Sequence, residues 1–235
     1  MMGRMRGPAA FDVDSTKPLR VSTRSGSVEI TAENRRNVLV EGGSHEAASE
    51  PEGIEVTGRS GPIAIRCPIG TDAFIGCASG AVSLRGSVGA ARVTTRSGRI
   101  TIEQAHSVDA RTASGSVTVE RCDEECRCQT RSGRLRVGRA ESGELAAASG
   151  GVEVDSIGAV RVRAGSGKVT IGLAEPAPVD VETHSASVTL SVPAELHPAF
   201  ELRSRSGKVH CDMEPGSDGL VRVTTRSGQI RVLER

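Results

Sequence analysis

The stretch Val93-Thr94-Thr95-Arg96-Ser97-Gly98-Arg99-Ile100-Thr101-Ile102 reads as an extended run, a Ser-Gly corner and a second extended run. The chain writes it repeatedly: VSTRSGSVEI over 21–30, ARTASGSVTV over 110–119, CQTRSGRLRV over 128–137 and VTTRSGQIRV over 223–232. Aligned on the corner, the unit recurs at Gly26, Gly61, Gly80, Gly98, Gly115, Gly133, Gly150, Gly167, Ala186, Gly207 and Gly228. Most steps are 17–19 residues, but the first is 35 and the last two are 21. A period this short, with no helical pattern between corners, marks a stacked array in which each unit contacts its neighbours.

The columns carry the argument further. Two residues after the corner stand Val28, Val82, Ile100, Val117, Leu135 and Val152, and four after it Ile30, Leu84, Ile102, Val119, Val137 and Val154. Polar residues such as Glu29, Ser83 and Thr101 lie between them. Before the corner the inward positions fall at odd offsets, with Val21, Val56, Ile75 and Val93 five upstream and small residues such as Thr23, Cys77 and Thr95 three upstream. Period-two alternation on both sides gives strands with one buried and one wet face. The parity breaks at Ser-Gly, where glycine supplies the bend.

These patterns predict an all-β fold: a single-stranded parallel β-solenoid (β-helix) of about 17–18 residues per coil, right-handed because parallel crossovers are. A run of β-hairpins turning at Ser-Gly would place the same side chains on one face. The constant unit length and the repeated columns favour the solenoid. One domain is expected over 11–235, behind a disordered tail over 1–10. The double-length first step suggests a degenerate coil over 37–53, with EGGSHEAASEPE (41–52) extruded from it as a polar loop. Pro-bearing segments at 173–178 and 193–198 and a turn cluster at 214–219 fill the longer steps.

Composition fits a thin, regular interior. The 235 residues include no Trp or Tyr, three Phe and 28 Gly. Thirty basic residues against 29 acidic give a net charge of +1, so no nucleic-acid partner is expected. No apolar run reaches the roughly 20 residues of a membrane span, and the N-terminus lacks a signal-peptide core, which predicts a cytoplasmic protein with no integral membrane segment.

Three places could carry chemistry. Cys122, Cys126 and Cys128 lie within seven residues, and thiolates ligate zinc well. Cys126 and Cys128 nevertheless fall in inward columns, as do Cys77 and Cys211, so buried core thiols are the simpler reading and no metal or cofactor is assigned. The corner arginines Arg24, Arg96, Arg131 and Arg226, with Arg59 and Arg205, form a basic edge able to meet an anionic partner. The five histidines occupy unrelated offsets, and no nucleophile or phosphate-loop motif is present, so no enzyme activity is expected.

The recurrent TxSGxVxV units resemble the bacterial domain of unknown function 4097 family, whose members are called putative adhesins or β-strand repeat proteins. The likeness runs from about Phe11 to Arg235. It implies a β-solenoid-like fold and a surface or envelope-stress role, with no catalytic residue to carry over. In architecture only, the chain is similar to the bactofilins, β-helix proteins that polymerise through their ends. The last strand, over 229–235, and a first coil beginning near Phe11 suggest uncapped ends that stack end to end between copies. The expected function is a non-enzymatic scaffold or interaction protein, with an envelope-associated adhesin-like module and a metal or redox protein as alternatives.

Overall fold

The β-branched columns do what their periodicity demands. In the computed structural model, which describes residues 5–12 and 17–235, every regular element is a β-strand. Coils pair in parallel, with like columns in register: Val82 on Ile100, Leu84 on Ile102 and Val93 on Ala110. The fold is an all-β parallel solenoid. Where the repeat suggests one domain over 11–235, the chain divides into two compact units, Met1–Asp123 and Glu124–Arg235.

The first unit contains β1 (Met5–Arg6), β2 (Ala9–Asp12), β3 (Leu19–Ser25), β4 (Val28–Glu33), β5 (Asn37–Glu41), β6 (Ser44–Glu50), β7 (Gly53–Ser60) and β8 (Ile63–Pro68). It continues through β9 (Ala73–Ser79), β10 (Val82–Ser97) and β11 (Ile100–Ser114), and β12 (Val117–Ser132) runs on into the second unit. The coils do not stack in chain order. β3 pairs with β7 on one side and β9 on the other, and β4 lies between β8 and β10. The first repeat is therefore enclosed between the second and the third.

Segment 37–50 explains the 35-residue step. It is neither a degenerate parallel coil nor an extruded loop. β5 runs antiparallel to β8 and β6 antiparallel to β7, so this layer is a coil traversed backwards. Its corner is Gly42-Gly43, both at positive φ, beside the Gly61-Pro62 corner of the layer beneath. Val38, Val40, His45, Ala47 and Ala48 are its buried residues. The His45 ring is tied at Nδ1 to the Gly42 carbonyl oxygen at 2.6 Å. Of the expected tail, residues 1–4 lie outside the described residues, while β1 and β2 add a further antiparallel layer on β6 and β5. The N-terminal end of this unit is thus covered by reversed strands.

The second unit contains β13 (Leu135–Ser149), β14 (Val152–Leu173), β15 (Val179–Val192), β16 (Ala199–Ser204), β17 (Val209–Cys211), β18 (Leu220–Thr225) and β19 (Ile230–Glu234). Here too one coil is out of order. β18 pairs with β15 and with β16, and β19 with β15 and with β17. The strand expected to end the stack is therefore interior: Val221, Val223, Ile230 and Val232 are fully buried. The outermost coil is β16–β17. The step from Ala186 to Gly207 therefore crosses two layers, about 10 Å at roughly 4.8 Å per layer, and the step from Gly207 to Gly228 returns by one.

The corner glycines answer to two constraints. Several have positive φ, including Gly26, Gly61, Gly80 and Gly150. In addition each lies directly over the corner of the next coil, so a Cβ on Gly80 would overlap the Gly26 carbonyl oxygen and one on Gly98 the Gly80 carbonyl oxygen. Inward threonines form a polar ladder just before the corner, with Thr95 and Thr112 hydroxyl oxygens 3.3 Å apart.

Candidate functional site

The first unit carries a small built feature on its outward face. Six residues before the corner, the structural order of the ladder is Glu55, Arg20, Phe74, Arg92, Asp109. Both guanidinium groups lie over the Phe74 ring, with Cζ at 5.1 Å (Arg20) and 5.7 Å (Arg92) from its centroid. Cation–π contact of this kind orients the two arginines and exposes their N–H edges. Arg92 is also held by Asp109 at 3.6 Å, which Arg111 shares at 3.1 Å. Beside the ring, Gly76 stands between Ser22 and Thr94 in the next outward column. A Cβ there would meet nothing within 4 Å, so the missing side chain leaves a notch. Notch and ladder together form an open cavity of about 250 Å³ lined by charged, hydroxyl and aromatic groups. Such a surface suits a polar partner bearing an anionic group.

Phe74 drew no notice in the sequence beyond being one of three phenylalanines. In chain order its column neighbours are Glu55 and Arg92, and only the out-of-order stacking brings Arg20 beside it.

The structure places the corner arginines Arg24, Arg96, Arg131 and Arg226 on exposed corners. Register puts Arg24 next to Arg59, since Thr23 pairs with Gly58, while Arg96 is flanked by Ala78 and Ala113. In the second unit Arg226 is next to Arg205 and His184. Arg205 and Arg226 belong to consecutive repeats, and the out-of-order stacking adds His184 on the other side of Arg226.

Cys67, Cys77, Cys122, Cys126 and Cys128 are buried, as their inward columns require. Cys211 is the exception. Its column is inward, but its coil is outermost and the thiol is exposed. The Cys126 and Cys128 sulfurs are 3.7 Å apart, and the Cys122 thiol reaches the His106 carbonyl oxygen at 3.8 Å. Among the described residues no group of three or more His, Cys, Asp or Glu side chains converges as a metal site.

Burial pushes the Cys67 thiol from its ordinary 9.0 up to about 11, because the thiolate would be desolvated. Below pH 9 the thiol is neutral both folded and unfolded, so it adds no pH dependence there. From about pH 9 the unfolded chain ionises first, and its share of stability is lost progressively up to about pH 11. In dilute native protein at pH 8, iodoacetamide is expected to alkylate Cys211 first and alone, with the other five thiols reacting only after denaturation. Mass spectrometry of timed samples checks this; early modification of Cys126 or Cys128 would contradict the buried assignment.

Among the described residues no helix is long and apolar enough to cross a membrane. No curated protein sequence matches the chain. Solved structures similar to it include two from bacteria. A putative adhesin from Bacteroides fragilis is 10% identical, covers 97% of each chain and has a TM-score of 0.50. A putative cell adhesion protein from Clostridium sporogenes is 8% identical, covers 98% of this chain and 100% of its own, and has a TM-score of 0.25. At 10% identity the likeness to the first is one of fold. The profile of the Toastrack DUF4097 family matches residues 16–232. With the corner repeat, its columns and the parallel coils they build accounted for across that span, the chain belongs to the Toastrack DUF4097 family.

Proposed function

We propose that the protein is a non-enzymatic, adhesin-like interaction module that works by presenting ladder surfaces to partners and by associating with itself. The observation carrying the reading is the outward ladder Glu55–Arg20–Phe74–Arg92–Asp109 over the Gly76 notch. It is the point where a regular stack displays preoriented, partly desolvated binding groups. The fold likeness to a putative adhesin favours an envelope-facing role over a purely cytoplasmic one. Binding would come from guanidinium hydrogen bonds to an anionic group, backed by the Ser22 and Thr94 hydroxyls.

Retention of the purified protein on washed bacterial envelopes tests this, with Phe74→Ala and Arg20→Glu/Arg92→Glu compared against wild type. Retention by wild type that falls at least 10-fold in both variants supports the reading. No retention, or equal retention by all three, overturns it. The variants alter exposed or half-exposed positions, so circular dichroism should report an unchanged fold.

A further inference from the structure

The outermost coil of the second unit leaves core positions uncovered. Val209 is 44% exposed and Cys211 is exposed. The same two columns one layer in are Ile230 and Val232, at 0%. Among the described residues β17 is paired on one edge only, with β19. The directions of its backbone groups follow. The Lys208 carbonyl accepts from the Ile230 N–H at 2.9 Å, and the Asp212 N–H donates to the Val232 carbonyl at 3.4 Å. Even-numbered residues therefore turn their polar groups toward β19. In a parallel ladder the alternate residues turn theirs away, so Val209 and Cys211 present two N–H and two C=O groups to the open side.

We infer that a second copy of this chain docks on this edge, with β17 pairing antiparallel to its counterpart about a two-fold axis through His210. This rests on the self-association part of the proposed function and gives it a surface and a register. In that register Val209 faces Cys211 of the second copy, and the reverse. Each opposed pair exchanges both backbone bonds, which satisfies all the outward groups of the three-residue strand. Both residues belong to inward columns, so apolar side meets apolar side. The outward residues match as well: Lys208 lies opposite Asp212 of the second copy, in the closely spaced non-hydrogen-bonded pairs where opposite charges help. Asp212, now 2.9 Å from His210, gains the Lys208 ammonium of the second copy. Centring the axis on Val209 instead would set Lys208 against His210. Centring it on Cys211 would run the pairing past the end of β17. An isologous contact of this sort closes as a dimer.

Light scattering across a concentration series tests the edge, and charge exchange tests the register. Wild type is expected to move from 24.4 kDa toward twice that mass as concentration rises. Val209→Asp should remain monomeric. Lys208→Glu should weaken association at least 10-fold, and Lys208→Glu/Asp212→Lys should regain it, because the pair is restored across the axis. In a Cys211→Ser background, His210→Cys should cross-link efficiently with oxidised glutathione, its two copies facing each other on the axis. Wild type, by contrast, should not cross-link through Cys211, whose two Cα atoms would be ~8 Å apart, too far for a disulfide. Monomers at every concentration overturn the inference. Association that survives Val209→Asp removes this edge while leaving self-association by another surface intact. A Cys211 cross-link in wild type, or failure of the double exchange to restore what Lys208→Glu loses, overturns the register. None of these outcomes bears on envelope retention through the Phe74 ladder, so the two readings fail separately.

Discussion

Val232→Asp is expected to unfold the second unit, whereas Cys211→Asp, in the same column, leaves its stability nearly unchanged in dilute solution. Val232 is enclosed between Leu190 on one side and Cys211 on the other, with no solvent exposure. A carboxylate placed there loses its hydration and finds no cation, a change worth several kcal/mol even after relaxation. The loss should exceed ~4 kcal/mol, among the largest that single substitutions produce. At Cys211 the carboxylate would remain in water, and an exposed substitution shifts stability by roughly 0.5 kcal/mol or less. Urea denaturation followed by circular dichroism separates the two cases. Had the coils stacked in chain order, Val232 would lie on the outer face and Cys211 within, and the ranking would be reversed. The pair of variants therefore tests the stacking order itself.

Gly80→Ala is the second large effect expected. At φ 146 an alanine is strained, and its Cβ would overlap the Gly26 carbonyl oxygen. Neither coil can yield alone, because the corner of each is fixed by the backbone bonds running through the stack. Gly80 donates its N–H to the Ser97 carbonyl at 3.0 Å, and Gly26 donates to that of Ser79 at 3.0 Å. We expect a loss of ~2–4 kcal/mol, equivalent to roughly 4–16 °C in the melting temperature of the first unit. Gly76→Ala is the matched control. Its φ is not in the left-handed region and its Cβ would enter open space, so stability should hold or rise by up to about 0.5 kcal/mol as the unfolded chain loses freedom. Calorimetry of both variants decides. A mild Gly80→Ala would mean that the corner flexes, and that the glycine column reflects something other than close approach.

The columns were legible from sequence because they are written in every coil. Val28, Ile63, Val82, Ile100 and Val117 occupy one inward position wherever their coil stands in the stack. That same uniformity hid the order. Exchanging coils of equal content leaves each buried column as well filled as before, so the apolar pattern cannot distinguish chain order from the order found. The difference lies in outward residues and in connections: Arg20 beside Phe74, Asp180 beside Arg222, and the steps of 35 and 21 residues. The reversed layer was illegible for another reason. The buried positions of its second strand are held by His45, Ala47 and Ala48, residues that give little hydrophobic signal, and a coil run backwards presents its columns in inverted sequence. Ala186 shows the converse. It stands at a corner without glycine, and no residue other than glycine adopts positive φ among the described residues, so that corner is turned in an ordinary conformation.

The interior position of β19 has a mechanical consequence. A terminal strand paired on one edge can be peeled away, its bonds failing one after another under a small force. β19 is gripped on both edges, by β15 and by β17, and tension applied at Arg235 loads two ladders at once. The outermost coil, for its part, has no loose end to catch: both of its connections lead inward, to β15 and to β18. A pull at Arg235 is thus borne by a strand paired on both edges, and the weakly covered outermost coil is spared it.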